Sequence, residues 1–175
     1  MILQTLQMNE LLNQNNIIKI FDKVGFFGPF ILIIVNIWQL WENHGFWCAY
    51  LVVTIMSSFI NKIVKNIVKE PRPLDGESII NEEYTGYEMY GMPSAHSQSV
   101  FSSVTFLYLV KESPAWLLIG LFIAGLTVYQ RLKYKRHTIE QLVVGTIFGI
   151  SIAYGGFYIT KKYLQENTCV KKMNE

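Results

Sequence analysis

Apolar runs of about 16 to 20 residues, five of them, follow one another along this chain with short polar stretches between. That length matches the span of a helix across the hydrocarbon core of a bilayer. A chain of 175 residues cannot bury five fully apolar helices inside itself, because too much of so small a domain is surface. The runs must therefore face lipid, and the expected fold is one all-α, multi-pass transmembrane helix bundle. Charge is sparse, the net charge is only +2, and no basic stripe carries interleaved aromatics, which excludes nucleic acid as a partner. The first residues lack the basic start, apolar core and small-residue cleavage site of a signal peptide. Cys48 lies in an apolar run and Cys169 in a polar tail, so they are not expected to pair.

Residues 1–23 alternate Leu, Ile and Met with Asn, Gln and Glu at helical spacing, too polar to cross a bilayer. They read as an amphipathic interfacial helix over 1–24, followed by a membrane domain over 25–163 and a polar tail over 164–175. The first span covers 25–41, with Trp38 and Trp41 suited to an interfacial belt, and His44 lies in the tight turn after it as a surface histidine. The second begins at Phe46. Toward its end Lys62, Lys65, Lys69 and Arg72 recur at three- and four-residue steps and are expected on one helical face, until Pro71 and Pro73 stop the helix. Residues 74–92 form a polar loop. Its acids Asp75, Glu77, Glu82, Glu83 and Glu88 could attract a cation, but they match no metal-loop spacing and read as a solvated face. A third span runs from His96 to about residue 110, and a fourth from 115 to about 129, ending in Arg131, Lys133, Lys135 and Arg136. The fifth, 139–158, carries Gly145, Gly149 and Ala153 at four-residue steps, a face that lets helices approach closely.

The working centre is expected between Tyr87 and Gln98, where a polar loop gives way to the third apolar run. Pro93 and Ser94 suit a helix start, placing His96 in the first turn among outward-aimed N–H groups that favour an anion. With alternating loops, the segment after the second span and the one between the fourth and fifth share a side. Lys65 and Arg72, Ser94 and His96, and Arg131 and His137 all gather there. Ionisable groups collected at helix ends in a membrane indicate function, and one lysine with two arginines makes a cradle for a dianionic phosphate.

Lys65-x6-Arg72-Pro73, Pro93-Ser94-Ala95-His96 and Arg131-x5-His137 together resemble the three-part signature of type-2 phosphatidic acid phosphatases, integral membrane lipid phosphatases of the vanadium haloperoxidase fold group. Glu70-Pro-Arg-Pro73, Gly91-Met-Pro-Ser-Ala-His-Ser-Gln98 and His137-Thr-x-x-Gln141 resemble the dolichyl diphosphatase branch. The resemblance covers about half of the chain. It implies metal-independent hydrolysis of a polyprenyl diphosphate in the bilayer, with no cofactor. His137 would be the nucleophile, and His96 the acid and then the base. Lys65, Arg72 and Arg131, with Ser94 and Ala95 at the helix start, would bind the phosphate.

Two positions depart from the general pattern. Gln130 stands where a serine usually precedes the arginine. Gln141 stands where most members carry an aspartate that orients the nucleophile; it either accepts from the His137 ring or, as Thr138-x-x-Gln141, closes a capping box. Glu140 is a further candidate for the missing charge. A phosphatidate phosphatase and an inactive membrane scaffold are the competing functions. Lysine and arginine counts place the polar side in the cytoplasm. The resemblance implies a non-cytoplasmic site instead, lumenal in the endoplasmic reticulum for a eukaryotic chain, and the cytoplasmic membrane otherwise.

Overall fold

The computed structural model describes residues 2–77 and 84–173, with side chains for 16–77 and 84–166. Among the described residues the chain is helical throughout: α1 (Ile2–Leu40), α2 (His44–Val68), α3 (Ala95–Lys111), α4 (Pro114–Lys133) and α5 (Ile139–Met173), with a 3-10 turn at Gly86–Met89. One isolated bridge joins Pro71 to Tyr90.

Helix α3 is the centre of the bundle. All four other helices pack on it, while α1 also lies along α4 and α2 along α5. Its Ser97, Gln98, Ser102 and Ser103 are as buried as its Val100 and Phe106. Four stretches, Asn16–Leu40, His44–Val68, Pro114–Lys133 and Ile139–Glu166, are long and apolar enough to cross a membrane, against five expected. The exception is α3, whose 17 residues span about 26 Å. Because protein surrounds it, its hydroxyl and amide groups pair with neighbouring helices and need no lipid-compatible face. The outer faces are the reverse: Ile34 and Trp38 on α1, Ile55 and Phe59 on α2, Phe122 on α4 and Tyr158 on α5 are all exposed. An apolar belt of this extent belongs in a bilayer. The chain is an integral membrane protein.

The small-residue face of α5 does what its spacing suggests. A Cβ at Gly145 would lie 2.5 Å from the Ser94 carbonyl oxygen, and one at Gly149 would collide with the Gln98 carbonyl. This contact sets the two motif-bearing helices backbone to backbone. At the far end, Leu40, Tyr50, Phe106 and Ala153 form the apolar core, with the Phe46 and Phe157 rings stacked at 5.5 Å.

One expectation changes, and two expected boundaries fall inside continuous helices. Helix α1 is continuous through residue 24. The bundle already holds it before residue 25: buried Asp22 accepts from Lys133 Nζ at 2.6 Å and the Tyr134 hydroxyl at 3.0 Å. Next, Lys62, Lys65, Lys69 and Arg72 do not share a helical face. With Pro71 and Pro73 ahead, α2 ends at Val68 and Lys69 turns left-handed at φ 51°. Lys65 is then buried, Lys62 lies over the Tyr87 ring, and Arg72 leaves the helix. Last, the tail from residue 164 continues α5 as helix through Met173. Glu82, Glu83 and the side chain of Cys169 lie outside the described residues.

Candidate active site

A 580 Å³ cavity opens between α2, α3 and the loops at their polar end. Lys65, Arg72, Ala95, His96, Arg131 and His137 line it. The structure therefore brings six of the eight expected site residues to one wall. The other two stand behind it. Ser94 is fully buried and its Oγ accepts from the Ser97 amide at 3.4 Å, so it caps and aims the start of α3. Gln141, also fully buried, reaches the site through His137.

Lys65 and Arg72 are held by the backbone of other segments, and Arg131 by the His96 ring. Lys65 Nζ donates to the Tyr90 carbonyl. Arg72 donates through Nε to the Glu88 carbonyl at 2.9 Å and through Nη1 to the Arg136 carbonyl at 3.1 Å. Its guanidinium lies 3.9 Å from the centre of the Tyr84 ring, and that of Arg136 lies 4.4 Å from the same ring. Arg131 Nη2 donates toward His96, 2.9 Å from Nε2 and 3.1 Å from Nδ1. Phe26 of α1 backs both residues, with ring centres 5.8 Å apart from His96 and Arg131 at 5.2 Å. Burying Lys65 and Arg131 this deeply costs on the order of several kcal/mol each, which packing alone would not select. They suit an incoming dianion.

His137 is set atom by atom. Gln141 Nε2 donates to Glu70 Oε1 at 2.7 Å and to the Pro71 carbonyl at 2.9 Å. This fixes which end of the amide is oxygen. Oε1 therefore faces His137 Nδ1 at 3.0 Å and the Thr138 amide at 3.3 Å. Nδ1 must carry the proton, leaving a lone pair on Nε2, toward which Arg72 Nη1 donates at 2.9 Å. Burial, then the Arg72 and Arg131 charges, hold this imidazole well below its usual range, so it is neutral near pH 7. Gln141 N–H also donates to Thr138 Oγ1 at 3.3 Å, completing the capping box. The contacts that each reading of Gln141 requires are both present. Glu140 is exposed. Gln130 is buried and is not among the cavity residues; Gly25 of α1 packs closely on its Cβ.

Several contributors carried no local sequence pattern. Asn61 Nδ2 donates to Gln98 Oε1 at 2.8 Å and to the Pro93 carbonyl at 3.2 Å. Gln98 Nε2 donates to the Ser57 carbonyl at 2.7 Å. This network locks α2 to the start of α3, just below Lys65 and His96. Only Gln98 lay within a motif, and spacing said nothing of its partners.

Residues 46–165 match the family model described as the PAP2 superfamily. The chain belongs to this superfamily. A dolichyldiphosphatase of Saccharomyces cerevisiae is 31% identical over 124 residues, covering 63% of this chain and 49% of that protein. Dolichyldiphosphatase 1 of Homo sapiens is 32% identical over 133 residues, covering 66% and 53%. Lipid phosphate phosphatase gamma of Arabidopsis thaliana is 27% identical over 121 residues, covering 63% and 51%. The chain spans about half the length of these curated relatives. The crystal structure of a transmembrane PAP2-type phosphatidylglycerolphosphate phosphatase from Bacillus subtilis superimposes with a TM-score of 0.63 at 17% identity, covering 85% of this chain and 76% of that one. At that identity the likeness speaks for the fold.

Proposed function

We propose that this chain hydrolyses a polyprenyl diphosphate of the dolichyl type to its monophosphate and phosphate. The observation that carries the reading is the His137 Nε2 lone pair, presented at the wall of a cavity lined by Lys65, Arg72 and Arg131. The dolichyldiphosphatase relatives support the substrate class.

In the first step His137 Nε2 forms an N–P bond to the terminal phosphorus while the bridging P–O bond breaks. His96 gives its proton to the departing lipid phosphate. In the second step water attacks phosphorus, His96 takes its proton, and the N–P bond breaks to release phosphate. Lys65, Arg72 and Arg131 hold the equatorial oxygens, whose charge is greatest in the transition state. Their three positive charges do the work that a divalent cation does elsewhere, so the reaction proceeds without metal.

A second reading, a phosphatase for phosphatidate or a related phospholipid, has its own support. The Arabidopsis thaliana relative is a lipid phosphate phosphatase, and Ser58, Ser99 and Ser102 extend a hydroxyl-lined floor that suits a glycerol ester. Phosphate release from prenyl diphosphate, from phosphatidate and without lipid, each in excess EDTA, separates the cases. Faster release from prenyl diphosphate, undiminished by EDTA, is expected. Preference for phosphatidate would select the second reading, and no release from either lipid would make the chain a scaffold.

A further inference from the structure

We infer that Glu70 is a positioning residue for the nucleophile, supplying through Gln141 the negative charge that an acid at position 141 would supply directly. The inference rests on the reading of His137 as nucleophile. It begins with a chain of three side chains: Glu70 Oε1 accepts from Gln141 Nε2 at 2.7 Å, and Gln141 Oε1 lies 3.0 Å from His137 Nδ1. Glutamine alone can be flipped, and either end could meet an imidazole nitrogen. What removes the choice is that both partners of Nε2, the Glu70 carboxylate and the Pro71 carbonyl, only accept. Glu70 therefore helps to dictate that Nδ1 is the protonated nitrogen and Nε2 the free one.

The same chain matters once the N–P bond forms. The imidazole then becomes positive, and Nδ1–H strengthens its hydrogen bond to Gln141 Oε1. That polarises the amide and strengthens the bond from Nε2 to the carboxylate in turn. Glu70 is held in place to do this: its own carbonyl accepts from the Gly91 amide at 2.7 Å, and Pro71 after it is bridged to Tyr90. Gly91 is also what makes room, since a Cβ there would strike the Gln141 amide. The carboxylate lies one side chain further from the ring than an acid at 141 would, on a segment 71 residues away in sequence.

Glu70→Gln isolates the charge, because its oxygen can still accept from Gln141. In the full chain in detergent, kcat on prenyl diphosphate should fall about 10- to 100-fold, as outer partners of a positioned histidine do elsewhere, with KM and melting temperature little changed. The exchanged pair Glu70→Gln with Gln141→Glu keeps the 70–141 contact with donor and acceptor reversed and keeps the acceptor for His137, while giving up the donation to the Pro71 carbonyl. It moves the charge next to His137, so it should recover part of the lost kcat. Wild-type kcat in Glu70→Gln overturns the inference. So does a loss that the exchanged pair leaves unrepaired, which would make Glu70 a structural tie. Should Glu70→Gln not fold, the exchanged pair carries the test alone: it must turn over faster than Gln141→Leu. His137→Ala is measured beside them, and turnover surviving there would defeat the nucleophile reading itself, independently of Glu70.

Discussion

Where α2 begins, Leu40, Phe106 and Ala153 are packed out of contact with solvent and the Tyr50 hydroxyl pairs with Ser103 Oγ at 2.8 Å. Where α2 ends, Lys65, Arg131, His137 and Gln141 are buried as deeply, yet their contacts are directional and charge-bearing. The first region is specified by volume: close-packed apolar side chains, replaceable by others of similar size. The second is specified atom by atom. A buried cation or a half-satisfied amide is costly, so such a cluster persists only where each group has a partner, or where a ligand will bring one. The comparison teaches that depth of burial does not tell a core from a site; the kind of partner does.

Substitutions can break this contrast, and the expected losses of turnover run from total to none. His137→Ala should abolish turnover while leaving the melting temperature in detergent close to that of the parent, since the apolar end is untouched. Gln141→Leu removes both the acceptor for His137 and the capping box. It should lower kcat by about 2 to 4 kcal/mol of transition-state stabilisation, and stability by about 1 kcal/mol. Steady-state kinetics paired with a thermal melt reads the two separately. Gly91→Ala displaces the Gln141 amide without deleting it, so its loss in kcat should stay below the hundredfold or so of an ångström-scale misplacement. At the apolar end, Phe106→Ala should cost on the order of 3 to 5 kcal/mol of stability and leave turnover per folded molecule unchanged. If it slows turnover as Gln141→Leu does, the two regions are not separable.

Much of this was legible in the sequence. Apolar run length and the small-residue steps at Gly145, Gly149 and Ala153 are local patterns, and the helices that they predict are present. That Lys65, Arg72, His96, Arg131 and His137 come together at one cavity was readable from residue type and spacing. The shared face of Lys62, Lys65, Lys69 and Arg72 was misread because the periodicity runs on past the point where Pro71 and Pro73 forbid a helix. The place of α3 was hidden as well. Its serines and Gln98 look like interruptions of an apolar span until four other helices surround it. Asn61 and Phe26 left no trace, and Glu70 stood in a motif that said nothing of its partner, because each matters through a residue tens of positions away, and single-sequence periodicity reports only neighbours along the chain.

The central claim is that His137 Nε2, presented by Gln141, takes the phosphoryl group. It is tested most directly by mixing the enzyme with prenyl diphosphate labelled in the terminal phosphate and quenching within one turnover in alkali, where a phosphohistidine survives. The labelled peptide is then mapped by mass spectrometry. The account predicts label on the peptide containing His137, bound to the histidine and lost in acid. Label on any other residue, or phosphate released in a full burst with no protein-bound label at any quench time, would contradict it.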